Sequence, residues 1–226
     1  MKTIKLNATV TASNDKDAQA LRARMQQIGT LLINVMSSPG AGKTTLLSRL
    51  IRDLPELKIA VMEADIESDV DAKRIEALGA RSIQVHTSGM CHMDAGMTAA
   101  AWESLSAADA DLIFLENVGN LICPAEYDTG AGKSLMLLSV PEGDDKPLKY
   151  PLMFRKSDAL AITKTDALPY FNFDLSKCQE RARKLNPEIE IFPVSAKTGD
   201  GMEVLEAWIR SCVKEWKTNC EYKENH

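Results

Sequence analysis

The chain is 226 residues long, 45% hydrophobic and 26% charged, with a formal net charge of −5 at pH 7. That composition fills one large α/β core or two small ones and argues against a wholly disordered chain. The acid excess excludes the basic footprint of a nucleic-acid binder, no apolar run reaches the length of a membrane span, and 5 cysteines, an odd count, argue against a disulfide framework.

The N-terminal MKTIKLNATV lacks the apolar centre of a signal peptide, so the cytoplasm is the expected compartment. A short extended start leads into a helix, DAQALRARMQQIG. Apolar β-type runs then alternate with helical patterns. The predicted strands are LLINVM (31–36), KIAVM (58–62), SIQVH (82–86), DLIFLE (111–116), SLMLLSV (134–140), LAIT (160–163) and EIFP (190–193). The predicted helices are KTTLLSRLIRDL, DVDAKRIEALG, DAGMTAAAWESLS, DLSKCQERARKLN and GMEVLEAWIRSCVKEW. In the last, Val204, Leu205, Trp208 and Cys212 form the apolar stripe, while Asp94 and Asp174 stand where N-caps belong. Strand then helix, repeated, predicts an α/β fold, a mostly parallel sheet with helices on both faces, and SPGAGKTT at 38–45, between a strand and a helix, makes it the three-layer sandwich of P-loop NTPases. The expected organisation is a single P-loop domain over 1–226, with 1–30 as a strand-and-helix extension and 217–226 as a polar tail. The longest irregular stretch is 117–157, and long loops inside a compact domain are often functional.

Ser38-Pro39-Gly40-Ala41-Gly42-Lys43-Thr44-Thr45 follows an apolar strand and opens a helix, the context a phosphate-binding loop requires. Its glycines let backbone N–H groups turn inward around a phosphate, and the helix N-terminus adds a favourable field. Lys43 reaches the β- and γ-oxygens, and the Thr44 hydroxyl binds Mg2+. The first position of the pattern holds Ser37 rather than glycine.

A second element reads the base. Thr163-Lys164-Thr165-Asp166 ends a strand and has the form of an N/T-K-x-D element. Asp166 can accept guanine N1–H and the 2-amino group, which adenine does not offer in that pattern. Lys164 either lies across the base or braces the P-loop. Threonine at 163 removes a side-chain amide, and with it one donor to the base or the loop. Ser195-Ala196-Lys197 follows the last strand and matches the SAK element that contacts guanine O6.

Two strands run into acids. Asp65 is a candidate for a Mg2+ water contact or for positioning the attacking water. Glu116 occupies, with Gly119, the place of the DxxG switch, where a glycine N–H meets the γ-phosphate. With Lys43, these two acids are the candidate catalytic groups.

Cys91-His92 follows the third predicted strand and Cys123 the fourth, which brings both to the edge where nucleotide binds. Thiolate and imidazole suit Zn2+ or Ni2+. Three donors are few for a closed site, but a two-fold dimer doubles them. The competing reading is that these thiols are simply packed, as Cys178 and Cys212 are expected to be; Cys220 reads as idle, His86 as structural and His226 as terminal.

Taken together, SSPGAGKTTLL, the EAD…DVDAKRI stretch, GMCHMDAGM, LENVGNLICP, SVPEGDDKPLKYPLMF, KTDALPYFNFD and SAKTGDGM resemble the hydrogenase maturation GTPases of the HypB family. The likeness runs from about residue 15 to 216. It implies a GTP- and Mg2+-binding GTPase that dimerises and delivers nickel, with Cys91, His92 and Cys123 as Ni2+ or Zn2+ ligands at the dimer interface. It further implies a companion nickel chaperone and the hydrogenase large subunit as partners, and couples Lys146 and Lys149 to dimerisation. A CxxCGC motif and a histidine-rich run, present in some members, are absent, so nickel storage is not expected. The urease-type nickel-insertion GTPases and a cobalamin-linked GTPase chaperone are the alternatives within this class. An ATP-driven small-molecule kinase is the alternative outside it.

Overall fold

The computed structural model describes residues 6–65, 75–87 and 89–224, with side chains described for 12–64, 75–87 and 89–219. In chain order the elements are α1 (Leu6–Gln27), β1 (Leu31–Ser37), α2 (Lys43–Asp53), β2 (Ile59–Asp65), β3 (Arg81–His86), α3 (Ala95–Leu105), β4 (Leu112–Glu116), α4 (Cys123–Glu126), β5 (Lys133–Ser139), α5 (Lys146–Lys149), α6 (Pro151–Lys156), β6 (Ala159–Thr163), α7 (Leu175–Leu185), β7 (Glu190–Pro193) and α8 (Met202–Glu224). The strands form one 7-stranded sheet in the order β3-β2-β4-β1-β5-β6-β7, and every pair is parallel.

Such a sheet must be covered on both faces, so its central strands read as unbroken apolar runs. β1, β4 and β6 are buried at every position. Side chains alternate faces with a period of two. Leu31, Ile33 and Val35 join Leu112 and Phe114 on one face, against Leu46, Leu47 and Leu50 of α2 and Leu205, Ile209 and Cys212 of α8. Leu32, Ile113 and Leu115 face the other way, against Leu21 and Met25 of α1 and Ala101 and Leu105 of α3. Met36, Met136, Leu138 and Ile162 continue that second face under α6 and α7. Between its two apolar clusters lies a polar cleft of about 570 Å³, floored by Asn34, Met36 and Ser134.

The helix ends follow their side chains. Asp94 accepts from the Met97 amide at 2.8 Å and Asp174 from the Lys177 amide at 2.9 Å, the two caps expected from sequence. Three expectations need correction. The extended start is helix from Leu6 onward, anchored by the buried Asn14, whose side chain donates to the Asp128 carbonyl and accepts from the Ala95 amide. Val204 is 62% exposed; Ile209 takes its place in the stripe of α8 because it falls one turn on from Leu205. The stretch 117–157 carries, besides the expected strand β5, the short helices α4, α5 and α6. Most of the predicted helix 69–79 and the terminal His226 lie outside the described residues. Among the described residues no helix is long and apolar enough to cross a membrane.

Candidate functional site

In a parallel sheet all strand ends of one polarity share an edge, and ligands bind in the crevice beside them. Here the loops after β1, β4, β6 and β7 carry the sequence-predicted nucleotide residues. The loop after β1 runs through Gly40 and Gly42 with φ of 75° and 98°, left-handed values that favour glycine. Ser37 is the last residue of β1, where no glycine is required; its hydroxyl donates to the Ser38 carbonyl and accepts from the Lys43 ammonium at 3.2 Å. Thr44 opens the second position of α2, and its hydroxyl donates to Glu116 Oε1 at 3.0 Å.

Pro39 is exposed, and its partner across the loop is Gly119. A Cβ at Gly119 would lie 3.0 Å from the Pro39 backbone nitrogen and 3.1 Å from its Cα, so Gly119 sits this close to the P-loop only because it has no side chain. Glu63 of β2 is the register partner of Glu116 of β4, which sets two buried carboxylates side by side on the face toward α2. Asp65 closes β2 as the partner of His86, but its side chain lies outside the described residues. His86, read as structural, is exposed at the end of β3.

The base-side loop is tied to the phosphate loop twice. Thr163 donates to the Ala41 carbonyl, and the Lys164 ammonium donates to the Gly40 carbonyl, each at 2.7 Å. Of the two roles open to Lys164, bracing is the one the structure contains, and Thr163 supplies a donor to the loop even without an amide. Lys164 itself takes a left-handed backbone, φ 59°, which turns the chain at the strand end. Ser195 is buried and donates to Asp166 Oδ1 at 2.7 Å, while the Thr198 amide donates to Ser195 Oγ at 3.2 Å. The carboxylate of Asp166 is therefore aimed by the SAK element; Ala196 is half-buried and Lys197 exposed.

Cys91, His92 and Cys123 come together on the same edge. All three are half-buried, and Cys91 Sγ lies 3.9 Å from His92 Nδ1. The neighbouring Cys91 thiol, then burial, then the Cys91 and Glu126 charges hold the Cys123 thiol above its usual pKa. Burial holds the His92 imidazole below its usual value, against the opposite pull of Asp94 and Glu126. Its ring stacks on Tyr127 with centroids 3.8 Å apart and an interplanar angle of 11°. Among the described residues no three His, Cys, Asp or Glu side chains converge as a metal-binding group, so one protomer offers a thiol pair and an adjacent imidazole turned onto an aromatic face. Cys178 and Cys212 are buried, as expected; the side chain of Cys220 lies outside the described residues.

Sequence reasoning passed over several residues that build this edge. Glu142 accepts from Ser38 Oγ, and from the amide and hydroxyl of Ser139 at 2.8 and 2.7 Å. Its signal was legible, because Ser139-Val140-Pro141-Glu142 has the spacing of a capping box. Asn34, Asn117 and Tyr127 carry no local signal; only the folded chain brings Asn34 to Asn117 and Tyr127 to His92.

A model described as CobW/HypB/UreG, nucleotide-binding domain, matches residues 31–193. The hydrogenase maturation factor HypB of Azotobacter chroococcum mcd 1 is 44% identical over 207 residues, covering 91% of this chain and 68% of the relative. The chain belongs to the HypB family. The hydrogenase/urease maturation factor HypB of Helicobacter hepaticus is 39% identical over 229 residues, covering 100% of this chain and 92% of its own. A crystal structure of HypB from Helicobacter pylori in complex with nickel superposes with a TM-score of 0.86 at 40% identity, covering 90% of this chain and 96% of that one. HypB of Archaeoglobus fulgidus superposes with a TM-score of 0.84 at 34% identity, covering 89% and 99%. The family model spans the loop of residues 38–45, the Cys91, His92 and Cys123 positions and the Thr163–Asp166 turn of this HypB-family chain.

Proposed function

We propose that the chain is a GTP-hydrolysing metallochaperone of the cytoplasm that delivers nickel during maturation of nickel–iron hydrogenase. It acts as a single P-loop unit that dimerises with GTP bound. The observation that carries this reading is the span from Glu116 to Cys123. At one end Glu116 accepts from the P-loop Thr44, and at the other Cys123 sits beside Cys91. One short segment therefore serves both a nucleotide site and a soft-donor metal site.

In this reading Lys43 and the loop amides of 38–45 bind the phosphates, while Thr163, Lys164, Asp166 and the 195–197 loop hold guanine. Thr44, Glu116 and Asp65 supply hard oxygen donors of the kind Mg2+ takes. Bound there, Mg2+ neutralises charge on the β- and γ-oxygens. Asp65 positions the attacking water, and Gly119 follows the γ-phosphate. Cys91, His92 and Cys123 take Ni2+ or Zn2+ as cargo, completed across the two-fold axis by the partner's set. A companion nickel chaperone and the hydrogenase large subunit are the partners of delivery. The relatives named hydrogenase/urease maturation factor favour a second reading, in which the same chain also serves urease.

The test is GTP turnover with and without Mg2+, alongside molecular mass with GDP and with a non-hydrolysable GTP analogue. Slow Mg2+-dependent turnover, lost in Lys43→Ala, and a GTP-favoured dimer are expected. Wild-type turnover in Lys43→Ala would remove the P-loop assignment.

A further inference from the structure

The switch carries two asparagines three positions apart, and each holds one of the thiol-bearing loops. Asn117 is fully buried. Its amide donates to the Val35 carbonyl of β1 at 3.0 Å, and its Nδ2 donates to Asn34 Oδ1, also on β1, at 3.1 Å. Its Oδ1 accepts from Val118 at 2.9 Å and from the amide of Met93, the residue after His92, at 3.1 Å. One side chain thus joins the central strand, the switch and the Cys91–His92 loop. Asn120 does the same for the other thiol. Its Oδ1 accepts from the amides of Ile122 at 2.7 Å and Cys123 at 3.2 Å, and its Nδ2 lies 3.7 Å from Cys123 Sγ. Between the two stands Gly119, packed on Pro39 of the P-loop.

The outer sides of both loops are fixed elsewhere. Asn14 of α1 binds the Ala95 amide and the Asp128 carbonyl, at 3.0 and 2.9 Å, and His92 stacks on Tyr127. A shift of Gly119 relative to Pro39 therefore pulls on the inner ends of the two loops, at Met93 and Cys123, while α1 restrains the outer ends. Buried amides rarely give up their acceptors, so these bonds move with the switch rather than break.

We propose that Asn117 and Asn120 are positioning residues that convert the state of the switch into the spacing of Cys91 and Cys123, and so into affinity for a soft divalent cation. The proposal rests on the nucleotide–metal coupling put forward above. Neither asparagine belongs to the phosphate- or base-binding set.

The test titrates Ni2+ into the full chain with GDP and with a non-hydrolysable GTP analogue, for the native protein and for Asn120→Ala, Asn120→Asp, Asn117→Ala and Asn34→Ala. Native affinities are expected to differ between the two nucleotide states by about fivefold or more. Asn120→Ala, Asn117→Ala and Asn34→Ala should bring that ratio to within about twofold of unity with nucleotide affinity kept, whereas Asn120→Asp, which retains the acceptor for Ile122 and Cys123, should keep it. If Asn117→Ala does not fold, the half-buried Asn120 pair decides alone. A native-like ratio in Asn120→Ala overturns the asparagine assignment and leaves the coupling standing. A ratio lost equally in Asn120→Ala and Asn120→Asp marks general damage and also overturns it. Equal nickel affinity of the native protein in both states overturns the coupling itself, and this proposal with it.

Discussion

The Thr163 hydroxyl donates to the Ala41 carbonyl at 2.7 Å, a buried bond that joins the base-reading strand to the phosphate loop across the sheet edge. Threonine thus supplies a donor to the phosphate loop without a side-chain amide. Thr163→Val keeps the branched shape and leaves the Ala41 carbonyl without this donor. Loss of such a bond costs about 1 kcal/mol, so GTP and GDP affinity should both fall about threefold to tenfold, read with a fluorescent nucleotide. Thr163→Asn should recover most of the loss, and an undiminished affinity in Thr163→Val would show that the bond carries no weight.

Base selectivity should reside in Asp166, whose carboxylate is aimed by Ser195 at 2.7 Å. Asp166→Asn replaces one acceptor with a donor, so GTP should weaken and xanthosine triphosphate improve, each by about tenfold or more. Ser195→Ala should weaken GTP by a smaller factor without favouring the xanthine base. Competition binding with GTP, ATP and xanthosine triphosphate measures all three; equal native affinity for ATP and GTP would count against guanine reading.

The metal site is expected to lose soft-donor binding when either thiol is removed. Ni2+ and Zn2+ titrations of Cys91→Ala and Cys123→Ala should each show affinity reduced by about tenfold or more, or lowered stoichiometry. Native stoichiometry and affinity in both variants would mean that the two thiols are merely packed.

Burial also predicts an alkaline limit to stability. The Cys178 thiol is pushed up to about 12 and that of Cys212 to about 11, chiefly by burial, from an ordinary value of 9.0. Folding keeps both protonated after the unfolded chain has begun to lose those protons. The stabilisation is therefore complete below about pH 9 and declines as pH rises from there toward 12. Denaturant midpoints measured from pH 8 to 10.5 should fall less steeply in Cys178→Ala than in the native protein, whatever the absolute loss from the cavity; parallel slopes would refute the linkage.

Much of the fold was legible because apolar runs in a two-sided parallel sheet are unbroken, as in LLINVM and LIFLE, and because glycines punctuate the loop after β1. The cysteine pair was legible as residues, and its meeting place followed from strand polarity. The first half of the N-terminal helix was not, because NATVTASND has poor intrinsic helix propensity and is held by Asn14 reaching Ala95 and Asp128. Nor was Asn117, whose partners Asn34 and Met93 come from distant segments that only the finished sheet brings together. Glu142 could have been found from its serine three positions earlier, though its grip on Ser38 could not.

The place of β1 also bears on how the protein is made. Its two neighbours are residues 112–116 of β4 and 133–137 of β5, so the strand pairs with nothing that leaves the ribosome near it in time. Until β4 has emerged, LLINVMS remains an apolar ribbon with both hydrogen-bonding edges open, and one edge stays open until β5 follows. The phosphate loop hangs from the end of that ribbon. A nascent chain halted before residue 112 would thus carry every residue of the loop and still lack the seat that shapes it, and it would be among the most aggregation-prone lengths of this polypeptide.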